Sequence, residues 1–248
     1  MDKSYNEEYN SISQDIIVPL NKVVYDSFVN ETATRSSDRT DVLHESLKNI
    51  IKNGIKPKNL RKSIYHIKTD TDREESKIED GYGKTISCDL IVKNKVNNKS
   101  SVVIMVKAPI SSINKNFQNA YNNLTGEAIR ILSHKNNKNI MVYFLNFIPR
   151  KTFTFDKESN IKSIEKVRTM KTLDLSDFGI LNSNVKFINI YYDLHEDFFN
   201  DKELKTKKCI KNKLKFLKEN NESFVNNIDT SSLEDSIVFI QNKIEKNL

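Results

Sequence analysis

Asp89 and Lys107 are the residues of this chain best placed to do chemistry. Each is a polar residue set in a short apolar run. The first run is Ile86-Ser87-Cys88-Asp89-Leu90-Ile91-Val92, and the second is Val102-Val103-Ile104-Met105-Val106-Lys107-Ala108-Pro109. Charged groups in such runs are costly to bury unless they are paired or used. Both runs read as buried strands, joined by a lysine-rich turn from Lys93 to Ser101. As hairpin neighbours they bring the two groups to one edge of a sheet. An aspartate there can hold Mg²⁺, a hard ion that prefers oxygen ligands. A lysine beside it can orient or deprotonate an attacking water and offset phosphate charge. The same spacing also suits a buried ion pair, or a lysine that snorkels out at a strand end.

The elements that must position these residues follow from hydrophobic period. A helix is expected over about 12–28, with Pro19 as a break or first-turn residue. A second is expected over about 38–53, with Leu43, Leu47, Ile50 and Ile51 as its apolar stripe and Gly54 as its stop. Residues 32–37 read as a polar connector. Strands are expected at 62–68, 84–93, 100–107, 139–148 and 185–194. Between the first two, the charged stretch 69–83 reads as an exposed loop or a hairpin extension. A helix over 113–133 separates the third and fourth strands. Residues 150–184 are mixed and support no assignment, and helices near 201–220 and 233–246 close the chain. The alternation argues for an α/β layered domain with a mixed sheet.

At 248 residues the chain can bury the core of one domain, 1–248. It is 37% hydrophobic and 29% charged, with a net charge of +7. Its isoelectric point is near 9.1. The balance fits a polyanionic partner, or a solvated lysine surface inflated by a coding bias toward Lys, Asn and Ile. Cys88 and Cys209 stand far apart in unlike contexts, which excludes a disulfide framework or a zinc pattern. A reducing, cytoplasmic setting is expected. Residues 1–8 contain no apolar segment of a signal peptide. No apolar run approaches the roughly 20 residues of a membrane span.

The order helix, three strands, helix, strand, carrying Cys88-Asp89-Leu90-Ile91-Val92 and Val103-Ile104-Met105-Val106-Lys107-Ala108-Pro109, resembles the PD-(D/E)xK nuclease superfamily. The resemblance covers about 41–147. In that family an Asp, usually after Pro, opens the pattern, and a later strand carries Glu-x-Lys or Asp-x-Lys. Asp89 matches the first acid, with Cys88 in place of the proline, and Lys107 matches the motif lysine. The chain departs at the second acid, where Met105 stands. Two explanations are open. Some members carry this acid on the following helix, and Glu127 suits that role, at the border of the face formed by Ala120, Leu124 and Ile131. Alternatively the chain is an inactive member that only binds DNA.

The family often has a further acid on the preceding helix. Glu45 is the candidate, although helical spacing turns it away from Leu43, Leu47 and Ile50. Asp80, with Glu79, lies in the acidic loop before the Asp89 strand and would join a metal site if that loop folds back. The resemblance implies a restriction-endonuclease-like core over about 38–194. It is a mixed central sheet flanked by helices, with N- and C-terminal helical elements and a lysine-rich helical region over about 200–248. It also implies a Mg²⁺-dependent type II endonuclease acting as a homodimer on double-stranded DNA. Lys207, Lys208, Lys211 and Lys215, interleaved with Ile210, Leu214 and Leu217, fit a helix lying along phosphates or an amphipathic helix with a solvated lysine face. A structural or interaction protein with merely compositional charge is the third class. Gly81-Tyr82-Gly83-Lys84-Thr85 imitates the end of a phosphate-binding loop, but Ile78 stands where another Gly is required.

Overall fold

A computed structural model describes residues 3–30, 39–54, 65–72, 75–95, 97, 99–168 and 184–246. The chain is an α/β protein built on a mixed, curled sheet of six strands. Their order is β1 (Tyr65–Thr69), β4 (Leu90–Asn94), β5 (Ser100–Lys107), β6 (Met141–Pro149), β9 (Val185–Leu194) and β10 (Val225–Asn226). The pairs β1–β4, β4–β5 and β9–β10 are antiparallel, and β5–β6–β9 are parallel. Two ribbons stand outside this sheet: β2 (Lys77–Glu79) with β3 (Thr85–Ser87), and β7 (Lys151–Phe155) with β8 (Ile161–Lys166).

Side-chain alternation splits the core in two. On one face Val102, Ile104 and Val106 of β5 pack with helices α1 (Lys3–Phe28), α2 (Asp41–Asn53), α5 (Lys207–Glu219) and α6 (Ser231–Lys246). On the other, Val103 and Met105 pack with Leu124, Ala128 and Ile131 of α3 (Ile113–Ser133) and with Ile78 and Ile86 of the first ribbon. A short helix, α4 (Asp197–Asn200), follows β9. All nine residues of β6 are buried, as a strand covered on both faces requires. Among the described residues no helix is long and apolar enough to cross a membrane.

Most expected elements form with small shifts; three readings change, and one pair of alternatives is decided. Pro19 lies inside α1 and does not break it. Ile16, Leu20, Val23 and Val24 are buried on both sides of it, so continuous burial outweighs the one lost backbone hydrogen bond. The strand expected over 84–93 is two strands in different sheets, parted at Cys88–Asp89. The stretch 69–83 is a 3-10 turn (Asp70–Asp72) followed by β2, so the hairpin-extension alternative is the one that forms. The lysine-rich helix begins at Lys207, where Thr206 caps it by accepting the Cys209 N–H. The connector 32–37 and the first residues of the expected strand 62–68 lie outside the described residues.

The two ends of the chain meet. Asn21 of α1 accepts the N–H groups of Phe224 and Val225 through one side-chain oxygen, at 2.8 and 2.9 Å. Ser13 and Thr230 are 3.3 Å apart. Gln241 of α6 seats its amide on the carbonyls of Ile50 and Ile51. A side chain at Gly54 would have to displace this amide, since a Cβ there would fall 1.9 Å from the Gln241 nitrogen.

Candidate active site

Asp89 stands where β4 parts from β5. The last β4–β5 pair at this end is Leu90 with Ile104. Two residues further along β5 the Val106 N–H finds no β4 carbonyl, and the Asp89 carboxylate accepts it at 2.5 Å. The aspartate is thereby fixed to the strand that carries the lysine.

Lys107 ends β5 and shares the side-chain phase of Val103 and Met105, so it belongs to the α3 face. It is half-buried and has no hydrogen-bond or ion-pair partner among the described residues. Glu127, on α3 between Leu124 and Ala128, is also half-buried, and its Oε2 is buried without a hydrogen-bond partner. Cys88 is the buried neighbour of Asp89. Its thiol is pushed up to about 12, first by burial and next by the Asp89 charge, with the Glu127 charge adding to the effect and Lys93 opposing it. Lys107 stands on the α3 face, at the end of the sheet where Asp89 parts β4 from β5.

Met105, the position at which the resembled nucleases carry an acid, is a core residue, 4% exposed and clustered with Leu124 and Ala128. The other two candidate acids are engaged elsewhere. Glu45 takes the hydroxyls of Thr69 and Thr71 and the ammonium of Lys48, at 2.5, 3.2 and 3.0 Å. Burial raises its carboxyl, but the bonds from Thr69 and Lys48 outweigh that and hold it below the ordinary glutamate range. Thr69 pairs with Leu90, so Glu45 stands at the Asp89 end of the sheet but on the opposite face. The expected solvated face is instead a bracket between α2 and the end of β1.

Asp80 is fully buried in the turn of the β2–β3 ribbon. One oxygen accepts the N–H groups of Tyr82 and Lys84, and the other takes Arg130 of α3 through Nε and Nη2. Burial raises this carboxyl, and those bonds overcome it and hold it below the ordinary aspartate range. Its lone pairs clamp the ribbon onto α3. Gly81 lies so close to Ser133 that a Cβ would come within 2.5 Å of it, and Gly83 turns the chain at φ +70°. These are the needs of the turn that imitates a phosphate loop.

Two residues that sequence reasoning missed lie beside Lys107. The register aligns Lys107 with Asn146 of β6, and Asn146 with Asn189 of β9. Asn146 is 4% exposed and donates from Nδ2 to Asn189 Oδ1 at 3.0 Å. Below this polar row Phe144 stacks on Phe187, and above it Ile148 and Tyr191 pack with Ile113 and Val167. A lysine and two amides thus cross the sheet between two apolar clusters. The only signal in the sequence was a single Asn interrupting the run from Met141 to Ile148.

The basic helix α5 buries Ile210, Leu214 and Leu217 and exposes Lys208 and Lys215, with Lys207 and Lys211 half-buried. It packs on the face opposite α3. Among the described residues no group of three or more His, Cys, Asp or Glu gathers as a metal cluster. A site here would rest on the two carboxylates, and the buried, unpartnered Glu127 oxygen fits a cation that supplies its remaining ligands as water. No family model, curated protein or solved structure matches this chain.

Proposed function

We propose that this chain is a Mg²⁺-dependent endonuclease that hydrolyses phosphodiester bonds of double-stranded DNA, on a restriction-endonuclease-like core. The observation that carries the reading is the placement of Asp89 and Lys107 at one end of the sheet, through the Asp89 bond to the Val106 amide, with Glu127 on the helix that covers that face and one of its oxygens buried without a partner. Asp89 and Glu127 would hold the ion. When bound, Mg²⁺ supplies Lewis-acid stabilisation of the charge that develops on the phosphate. Lys107 offsets phosphate charge and orients the water that attacks phosphorus. Asp89 keeps its orientation through the Val106 amide, and Met105 with the α3 cluster keeps bulk water from the floor of the site. Cutting both strands of a two-fold site favours a homodimer.

A second reading, a DNA-binding protein without catalysis, is favoured by one observation: Met105 is packed apolar core where the family carries an acid.

The test is incubation of unmethylated phage and plasmid DNA with the purified protein, in Mg²⁺ and in EDTA, beside Lys107→Ala and Glu127→Gln. Mg²⁺-dependent fragments that vanish in both variants support the nuclease. Intact DNA with salt-sensitive binding supports the second reading and removes the first.

A further inference from the structure

The ribbon β7–β8 was unreadable in the sequence, and its charge pattern is unusual for a free surface. Lys151 and Lys166 are direct cross-strand partners, and both are exposed. Like charges directly opposite one another destabilise a strand pair. Neither lysine has an acidic partner among the described residues, and the Lys151 ammonium instead sits 5.8 Å from the Phe199 ring centroid. The acids of the ribbon stand away from this pair. Glu165 accepts the Ile113 N–H at the start of α3 at 2.9 Å, and Asp156 holds the tip by accepting the N–H groups of Glu158 and Asn160. Glu158 is exposed at that tip, and Lys151, Lys162, Lys166 and Arg168 are exposed along the ribbon and at its base.

The ribbon is fixed at both ends. At its base the Thr152 hydroxyl donates to the Ile110 carbonyl, and the Ser112 N–H donates to the Phe153 carbonyl at 3.1 Å. Asn114 spans to the Lys166 carbonyl and accepts the Arg168 N–H, at 3.1 and 3.0 Å. Residues 110–114 follow Lys107 after only Ala108 and Pro109, so the base of the ribbon lies close to the end of β5. At its tip the Ile161 N–H donates to the Lys205 carbonyl at 2.8 Å, and the Lys207 N–H to the Ser159 carbonyl at 2.9 Å. The ribbon thus runs into Lys205, Lys207 and Lys208 at the start of α5.

We propose that this strip, from Arg168, Lys166 and Lys151 along the ribbon to the start of α5, is the surface that tracks the phosphates of duplex DNA beside the cleavage site. The inference rests on the reading that the site acts on DNA. A polyanion relieves the Lys151–Lys166 repulsion, and the rigid anchoring removes the ordering cost of binding. Contacts of this kind set affinity and register, not sequence choice.

The experiment is fluorescence anisotropy of a labelled mixed-sequence duplex with the full chain in EDTA, across a salt series. Lys151→Gln/Lys166→Gln is compared with wild type and with Lys95→Gln/Lys99→Gln, exposed lysines of the β4–β5 turn at the other end of the sheet. The ribbon variant is expected to bind about tenfold more weakly and to lower the salt slope by roughly two, while the control binds as wild type. Lys151→Arg/Lys166→Arg is expected to restore both quantities, which separates charge from folding. Duplex RNA of the same sequence is titrated in parallel. Wild-type binding with an unchanged ribbon variant overturns the inference and leaves the nuclease reading standing. Absence of wild-type binding to duplex DNA, or tighter binding of the RNA with the same ribbon dependence, overturns both.

Discussion

The Asp89 carboxylate takes the place that a β4 carbonyl would have held, by accepting the Val106 N–H of β5. One side chain therefore serves the sheet and the candidate metal site, and two substitutions separate these duties. Asp89→Asn keeps an oxygen for Val106 and removes the charge. It is expected to melt close to wild type and to lose Mg²⁺-dependent cleavage by about 10³-fold, the scale of losing one well-placed electrostatic stabiliser. Asp89→Ala strands the amide as well and is expected to lose a further 1–3 kcal/mol or so of stability in urea unfolding. Equal stability of the two variants would remove the backbone role.

Met105→Glu would place an acid, as in the resembled nuclease motif, inside the apolar cluster of Leu124 and Ala128. A buried carboxylate without a partner is strongly destabilising. The variant is expected to melt well below wild type in EDTA and to regain part of the loss in Mg²⁺ or Mn²⁺, because a bound cation compensates the charge. Melting that ignores the metal would argue against an ion beside Asp89 and Glu127.

The Asn146–Asn189 bond supports a double-mutant cycle. Asn146→Leu or Asn189→Leu alone removes the bond between the two side chains and buries the remaining amide beside an apolar group, and each is expected to destabilise by about 1–3 kcal/mol. Replacing both residues by Leu is expected to come near wild-type stability, with a coupling energy of roughly 0.5–3 kcal/mol. Cleavage is expected to fall in all three variants, since the polar row beside Lys107 is broken. Full activity in the double-Leu variant would reduce the pair to a register pin between β6 and β9.

Asp80 links folding to pH. Its carboxyl lies below the ordinary aspartate value when folded, so it adds stability above its unfolded pKa of about 3.9. That stability is lost as pH falls through the lower folded value. The melting temperature of wild type minus that of Asp80→Asn is therefore expected to be flat near neutrality and to shrink below about pH 4. A constant difference would show that the Arg130 clamp does not depend on the charge.

The two thiols are expected to behave oppositely toward an aromatic disulfide reagent. Cys209 is half-buried and held below the ordinary thiol range, chiefly by the Thr206 hydroxyl, so it reacts in the native state. Cys88 is 1% exposed and pushed up to about 12, so it reacts only on unfolding. Cys209→Ser is expected to abolish the fast phase.

Elements with strong, uninterrupted patterns were legible in the sequence. The bounds of β5, α3 and β9 match their expected ranges because continuous Val/Ile runs and a helical stripe leave little choice. The break at Cys88–Asp89 was hidden, because Ile86 of the ribbon and Leu90 of the sheet are both buried and apolar and read as one strand. The ribbon β7–β8 was hidden for a different reason: its inward residues, buried Phe153 and half-buried Phe155, are covered by contacts with Phe28 and Phe199 from distant parts of the chain. The weight of Asn146 was invisible because it comes from register with Lys107, which a linear sequence does not display. Glu45 was read from its own helix alone, and the threonines that hold it belong to another element.

The contact of Asn21 with Phe224 and Val225 also sets how far the chain must close on itself, since the partners stand 203 and 204 residues apart. Helix α1 finds α2 nearby in sequence, and the two share one cluster. Closing the much longer loop to β10 costs entropy before any of its contacts repay it. The seam between α1 and β10 is therefore a late event in folding, and loosening it frees the most distant contacts of the sheet first.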